Sequence, residues 1–185
     1  MVSMTVEQIG IYTIEDLERE RGLDERLRWE LLDGELVMAP APRPAHQEVV
    51  AALYDRLRPA IRNRAVLYFA PVDLYLDERT VLQPDLVVVD RAQVGEEGLH
   101  GAPLLAVEVL SPSSRRNDLV TKLEILQRAG CPHYWVVDPD RATLSAWRLV
   151  EGRYELQVRA QGDDEVHATE PVELSFRVGD LLPPG

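Results

Sequence analysis

A single cysteine, Cys131, rules out a disulfide within the chain, and this agrees with a reducing, cytoplasmic setting. Set between Gly130 and Pro132, it reads as a small structural residue. No apolar run approaches the roughly 20 residues that cross a bilayer, and no membrane association is expected. Met1–Gly10 has neither the basic start nor the apolar stretch of a signal peptide. The four histidines lack the close spacing of a zinc site. Gly-x-Ser-x-Gly is absent, and so are the phosphate-cradling glycine loops of nucleotide-binding proteins. Cations are scarce: 20 Lys plus Arg stand against 32 Asp plus Glu, a net charge of −12. That balance argues against tight, non-specific binding to DNA, whose affinity comes largely from basic groups on phosphates. A local site remains open.

What is present suits an ordinary globular chain. The 185 residues are 45% hydrophobic and 28% charged, enough for one domain over 1–185 with a core at about 45–140. The informative stretch is Leu104 to Ala129. Leu104–Leu110 is apolar without alternation, as in a strand buried on both faces, yet Glu108 sits in it. Burying an unpaired carboxylate costs at least several (~3 or more) kcal/mol, so Glu108 must be neutral, paired or metal-bound. Asn117 or Asp118 can cap the helix that follows, and Gly130–Pro132 ends it. Lys122 falls within its apolar stripe of Leu119, Leu123 and Leu126, so an inward acid is followed by an inward base. A buried structural ion pair accounts for these two residues as well as a functional site does.

Along the chain, Thr13–Asp16 resembles a capping box that opens a short helix to about Arg21. Asp33-Gly34 predicts a hairpin over 29–38, with Trp29, Leu31, Leu36 and Met38 inward and Glu30 toward solvent. Pro40, Pro42 and Pro44 form an extended linker before a helix over about 45–62. Its first turn holds His46 and Glu48, and Arg56, Arg58, Arg62 and Arg64 crowd its far end. A long strand is expected over 65–76 and another over Val81–Val89, bent at Pro84 with Asp85 at the bend. The glycine-rich loop Asp90–Pro103 is long enough to cover a site. A strand over His133–Asp138, a hairpin around Glu151-Gly152, an acidic loop over 161–171 and a short apolar turn over Val178–Leu182 complete the chain.

The central order is therefore helix, three strands, helix, strand. If the strands carrying Asp85 and Glu108 are neighbours, their acids converge with Lys122 at one end of a mixed α/β sheet. Two oxygen ligands with open water positions suit Mg or Mn. Such an ion can polarise a phosphoryl oxygen, and a lysine beside it can orient a water or stabilise developing charge.

Pro84-Asp85, then Glu108 in an apolar strand, resembles the PD-(D/E)XK phosphodiesterase superfamily. The run Val107–Ser114, with Asp118, Lys122 and Gly130–Pro139, is similar to the Uma-two family of putative restriction endonucleases. The resemblance covers about residues 25–140. It implies a restriction-endonuclease-like fold with added N- and C-terminal β-hairpins, and a Mg-dependent endonuclease acting on DNA. Asp85 and Glu108 would be its metal-binding acids and Asp85, Glu108 and Lys122 its catalytic residues. The superfamily lysine belongs two residues after the acid, where this chain has Leu110, so Lys122 serves as a lysine migrated to the helix. His46, Glu48, Asp73 and Gln83 are further candidates around the metal. Arg115 and Arg116 are candidates for nucleic-acid contact, with a solvated loop as the alternative. A symmetric homodimer built by the hairpins at 29–38 and 144–159 would suit two DNA strands. The competing readings are a catalytically idle scaffold that binds a partner, which the acidic balance and Leu110 favour, and a hydrolase of another phosphoester.

Overall fold

The computed structural model describes residues 11–24, 27–39, 41–61 and 65–183; Met1–Gly10, Pro40, Arg62 and Arg64 lie outside them. Helix α1 (Ile14–Leu23) starts at the expected box, where the Thr13 N–H donates to Asp16 Oδ2 at 3.0 Å. Strands β1 (Arg28–Leu32) and β2 (Glu35–Ala39) pair around Asp33 and Gly34, whose φ values of 54° and 85° give the turn that matches strand twist. Helix α2 (Pro44–Ala60) buries Val49, Val50, Leu53 and Leu57. Strand β3 (Ala65–Phe69) is followed by β4 (Leu74–Asp77), β5 (Thr80–Leu82) and β6 (Leu86–Asp90). The single strand expected over 65–76 is therefore two, divided at Ala70–Asp73 and assigned to different sheets.

Strand β7 (Leu99–His100) precedes the fully buried β8 (Leu105–Val109). The loop between β6 and β8 is ordered by a short 3-10 turn and by β7 pairing with β4, and it does not wall the cavity that holds Glu108. The expectation of a covering loop is corrected accordingly. Helix α3 (Lys122–Ala129) leads to β9 (His133–Asp138), then β10 (Thr143–Val150) and β11 (Arg153–Gln161). The expected acidic loop over 161–171 contains β12 (Glu165–Ala168), which pairs with β13 (Leu174–Arg177).

One sheet runs β11-β10-β9-β8-β6-β3, with β8 and β9 parallel and the other pairs antiparallel. The expected helix-strand-strand-strand-helix-strand core is α2, β3, β6, β8, α3, β9 within it. A second sheet runs β2-β1-β5-β4-β7. Val107, Val109 and Leu105 of β8 pack toward α2 and the β12–β13 pair, whereas Ala106 packs with α3 and with Leu32, Leu74 and Leu82 of the second sheet. Leu31 and Val81, on the outer side of that second sheet, pack on Leu17 of α1. Pro84 lies between β5 and β6, so the bend it imposes carries the chain from one sheet to the other. No helix among the described residues is long and apolar enough to cross a membrane.

Candidate active site

Three backbone devices bring the acids together. The first is the crossing at Pro84, which leaves Asp85 at the edge of β6 with Oδ2 accepting the Val109 N–H at 2.7 Å. The second is the pleat of β8, which turns Glu108 toward α3, opposite to Val107 and Val109. The third is a π-bulge. Helical backbone begins at Arg115, and over Asn117–Thr121 the hydrogen bonding lengthens so that the Lys122 N–H donates to the Asn117 carbonyl. Asn117 and Asp118 are therefore inside the helix rather than capping it. The turn before it is closed by Ser111 and Ser114, each backbone N–H donating to the other's hydroxyl at 3.2 Å. The Tyr134 hydroxyl donates to the Asp118 carbonyl at 2.7 Å and braces the bulge from β9.

Lys122 is the hub. Its Nζ lies 2.9 Å from Glu108 Oε1, 3.0 Å from Glu30 Oε1 and 3.5 Å from Asp118 Oδ1, with all four side chains at most 8% exposed. Glu30 corrects the sequence reading, which sent it to solvent. A hairpin with one wet face was assumed, but both faces of β1 are covered: Leu31 packs on α1, while Glu30 and Leu32 face the other layer. Glu30 Oε1 also accepts the Gln83 N–H at 2.6 Å, two residues before Asp85.

Burial works against the charge on Lys122, but Glu108, Glu30 and Asp118 outweigh it and hold the ammonium well above the ordinary lysine range. Burial likewise pushes Glu108 well above the carboxylate range; Lys122 opposes this, and Asp118, Asp85 and Glu30 add to it. Asp118 is raised for the same first reason. Three acids around one ammonium, with Asp85 beside them, leave a deficit of positive charge that a proton or a cation can fill.

His46 approaches from the first turn of α2, with Nε2 3.1 Å from Asp85 Oδ2. Burial lowers its basicity, and the Asp85 carboxylate more than restores it, so its pKa ends above the usual histidine value. A cavity of about 370 Å³ is walled by Glu30, His46, Gln83, Asp85, Glu108 and Lys122, with Asp118 and the Ser111–Ser114 turn at its side. Three buried polar atoms without a hydrogen-bond partner belong to this wall: His46 Nδ1, Gln83 Oε1 and Asp118 Oδ1.

Of the residues singled out from sequence, Asp85, Glu108, Lys122, His46 and Gln83 meet at this cavity. Asp73 does not: Arg21 grips both its oxygens at 2.7 and 2.8 Å, and Gln83 Nε2 donates to it at 2.9 Å. Glu48 is exposed and off the cavity wall. Arg115 is engaged with Asp138 at 2.8 Å, and Arg116 is exposed. Sequence reasoning missed Glu30 and the inward turn of Asp118. One signal was available for the hub itself: of the 20 basic residues 19 are arginine, and Lys122 is the only lysine. A chain that uses arginine everywhere else places its one compact, rotatable ammonium among buried acids.

The family described as "Uma2: Putative restriction endonuclease" matches residues 13–180, which takes in α1, both sheets and every residue of the cavity wall. The chain belongs to the Uma2 family. A solved structure described as a putative nuclease belonging to DUF820, from Anabaena variabilis, superposes with a TM-score of 0.65 at 20% identity, covering 83% of this chain and 88% of that one. This Uma2 chain thus shares the fold of that structure. A pyridoxine 5'-phosphate synthase of Synechococcus sp. (strain WH7803) is 33% identical over 100 residues, which are 54% of this chain and 38% of that protein. The chain therefore spans well under half the length of that curated relative. Family membership supports a nuclease-like function for the chain.

Proposed function

We propose that the cavity is the active site of a Mg- or Mn-dependent endonuclease that hydrolyses phosphodiester bonds in DNA. The observation that carries this reading is the meeting of Lys122 with Glu108 beside Asp85, although nothing in the strand itself supplies a lysine near Glu108. The lysine expected at position 110 is Leu110, and α3 brings an ammonium to the acid through space instead.

The donor set fits a hard cation. Asp85 and Glu108 would hold it through oxygen, and the unpartnered Asp118 Oδ1 offers a further acceptor in the same wall. Among the described residues no three His, Cys, Asp or Glu side chains form a ready cage, which suits an ion that keeps several waters better than a structural zinc. When bound, the ion supplies Lewis acidity toward a phosphoryl oxygen and toward a water. Lys122 stabilises charge on the attacked phosphate, because the acids around it keep it an ammonium. His46 holds Asp85 in orientation. Two copies meeting through the outer strands β2 or β11 would present one site to each strand of a duplex; a monomer's mass in sedimentation with DNA present removes that arrangement.

The test is cleavage of supercoiled and linear DNA with Mg, Mn or EDTA. Glu108→Gln and Lys122→Met are each expected to lower the rate by about a hundredfold or more while leaving the circular dichroism spectrum unchanged. Cation-independent cleavage, or full activity in either variant, defeats the proposal. The idle-scaffold reading rests on the net charge of −12; it predicts no cleavage and a flat dependence of DNA binding on salt.

A further inference from the structure

We infer that Glu30 is a positioning residue of this site: one of its oxygens fixes the Lys122 ammonium against Glu108 and ties it to the backbone that leads into Asp85. The inference rests on the nuclease reading for its kinetic consequence only. Its geometric content concerns the three side chains themselves.

An ammonium has three N–H donors on a rotor. Around Lys122 Nζ stand three carboxylate oxygens, the nearer two being Glu108 Oε1, hydrogen-bonded at 2.9 Å, and Glu30 Oε1, ion-paired at 3.0 Å. The third, Asp118 Oδ1, is at 3.5 Å and has no hydrogen bond. The Glu108 hydrogen bond and the Glu30 ion pair therefore hold the ammonium from two sides, and its Asp118 side is the one left for a substrate oxygen in the cavity. With Glu108 alone the ammonium would keep a rotational choice.

A purely neutralising role explains less. One carboxylate suffices to balance one ammonium, and Glu108 already does so. A ligand role for Glu30 Oε1 is opposed by its two partners, the ion-paired Lys122 ammonium and the Gln83 N–H that donates to it at 2.6 Å. The Gln83 contact also gives the residue its reach. Glu30 sits on β1 of one sheet, Lys122 on α3, and Gln83 leads through Pro84 to Asp85 at the start of the other sheet. One oxygen thus sets the distance between the lysine and the segment bearing the second acid.

The experiment exploits the single lysine. Protein grown with [15N]lysine gives one Nζ resonance, that of Lys122, without any assignment step. Glu30→Gln keeps an acceptor oxygen at the same position, and Glu30→Met keeps the shape without an acceptor. Hydrogen exchange of the Nζ protons is expected to stay within about threefold of wild type in Glu30→Gln and to rise about tenfold or more in Glu30→Met. In parallel, Glu30→Met is expected to lose about a hundredfold in kcat, with KM for DNA and the half-saturating Mn concentration within about twofold. Glu30→Gln should recover most of that rate.

Unchanged exchange in Glu30→Met overturns the inference, as does loss of protection in Glu30→Gln, the arm that decides if the methionine variant does not fold. A rise in half-saturating Mn matching the loss of kcat would make Glu30 a ligand and overturn it too. If the wild-type protein cleaves no DNA, the nuclease reading fails, and the exchange measurement still decides the arrangement of Glu30 and Lys122.

Discussion

His46 Nε2 and the Val109 N–H converge on one oxygen of Asp85, at 3.1 and 2.7 Å from Oδ2. A helix terminus and a strand edge thus fix the plane of a single carboxylate. In the proposed site Asp85 would hold the ion, and groups that orient such a ligand typically change affinity rather than chemistry when removed. His46→Ala is expected to raise the half-saturating Mg concentration about tenfold while KM for DNA holds. Activity measured across a Mg titration checks this, and an unchanged midpoint would show that the Val109 contact suffices.

Asp118 is nearly fully buried, its Oδ1 lacks a hydrogen bond, and it adds to the burial that raises Glu108. Asp118→Asn removes one negative charge without changing shape. In EDTA the variant is expected to melt higher by about 3 °C, which corresponds to about 1 kcal/mol in a chain of this size. Mg should narrow the difference. Calorimetry of both proteins with and without the ion reads the result directly.

The pH dependence follows from the same cluster. Glu108 and Asp118 have folded pKa values above their unfolded ones, so the folded state binds more protons as pH climbs from the ordinary carboxylate range through those raised values. Stability of the metal-free protein should fall across that interval. Lys122 is also raised, and its contribution is fully present below the ordinary lysine value and disappears only on strong alkalinisation. It adds no slope near neutrality. Urea midpoints between about pH 5 and 8 are expected to decline in EDTA and to flatten with Mg or in Glu108→Gln.

Arg115 and Arg116 separate by position. Arg115 donates to Asp138 Oδ2 at 2.8 Å and offsets the burial of that acid, whose pKa ends below the usual range. Arg116 is exposed at the start of the helix. Arg116→Ala is expected to reduce the salt slope of DNA binding by about one, and Arg115→Ala to leave it unchanged. Equal slopes for both variants would remove this turn from the DNA-facing surface.

Much of this was written in the chain. The strand around Glu108 and the stripe around Lys122 were legible because burial patterns follow periods of two and 3.6 residues, and a charge that breaks such a pattern stands out. Pro84 was legible as a bend, the donor that a ladder would miss, but the single strand expected over Val81–Val89 is two strands in different sheets. Glu30 was not legible, since alternation in β1 says which residues share a face but not that α1 covers one face and the other layer the opposite one. Asp118 was hidden by the π-bulge, because one extra residue in the hydrogen-bond spacing rotates every side chain before it relative to those after. The paired β12 and β13 were hidden by exposed polar composition: only Val166 and Phe176, facing each other, are buried in those strands.

The passage of the chain between sheets at Pro84 has a mechanical consequence. Asp85 and Glu108 ride on one layer, Glu30 on the other, and Lys122 on the helix between. A slide of one layer over the other would stretch the contacts to the ammonium and shear the apolar seam that Leu32, Leu74 and Leu82 share with Ala106 and Val136. The seam that joins the two layers therefore also fixes the geometry around the ammonium.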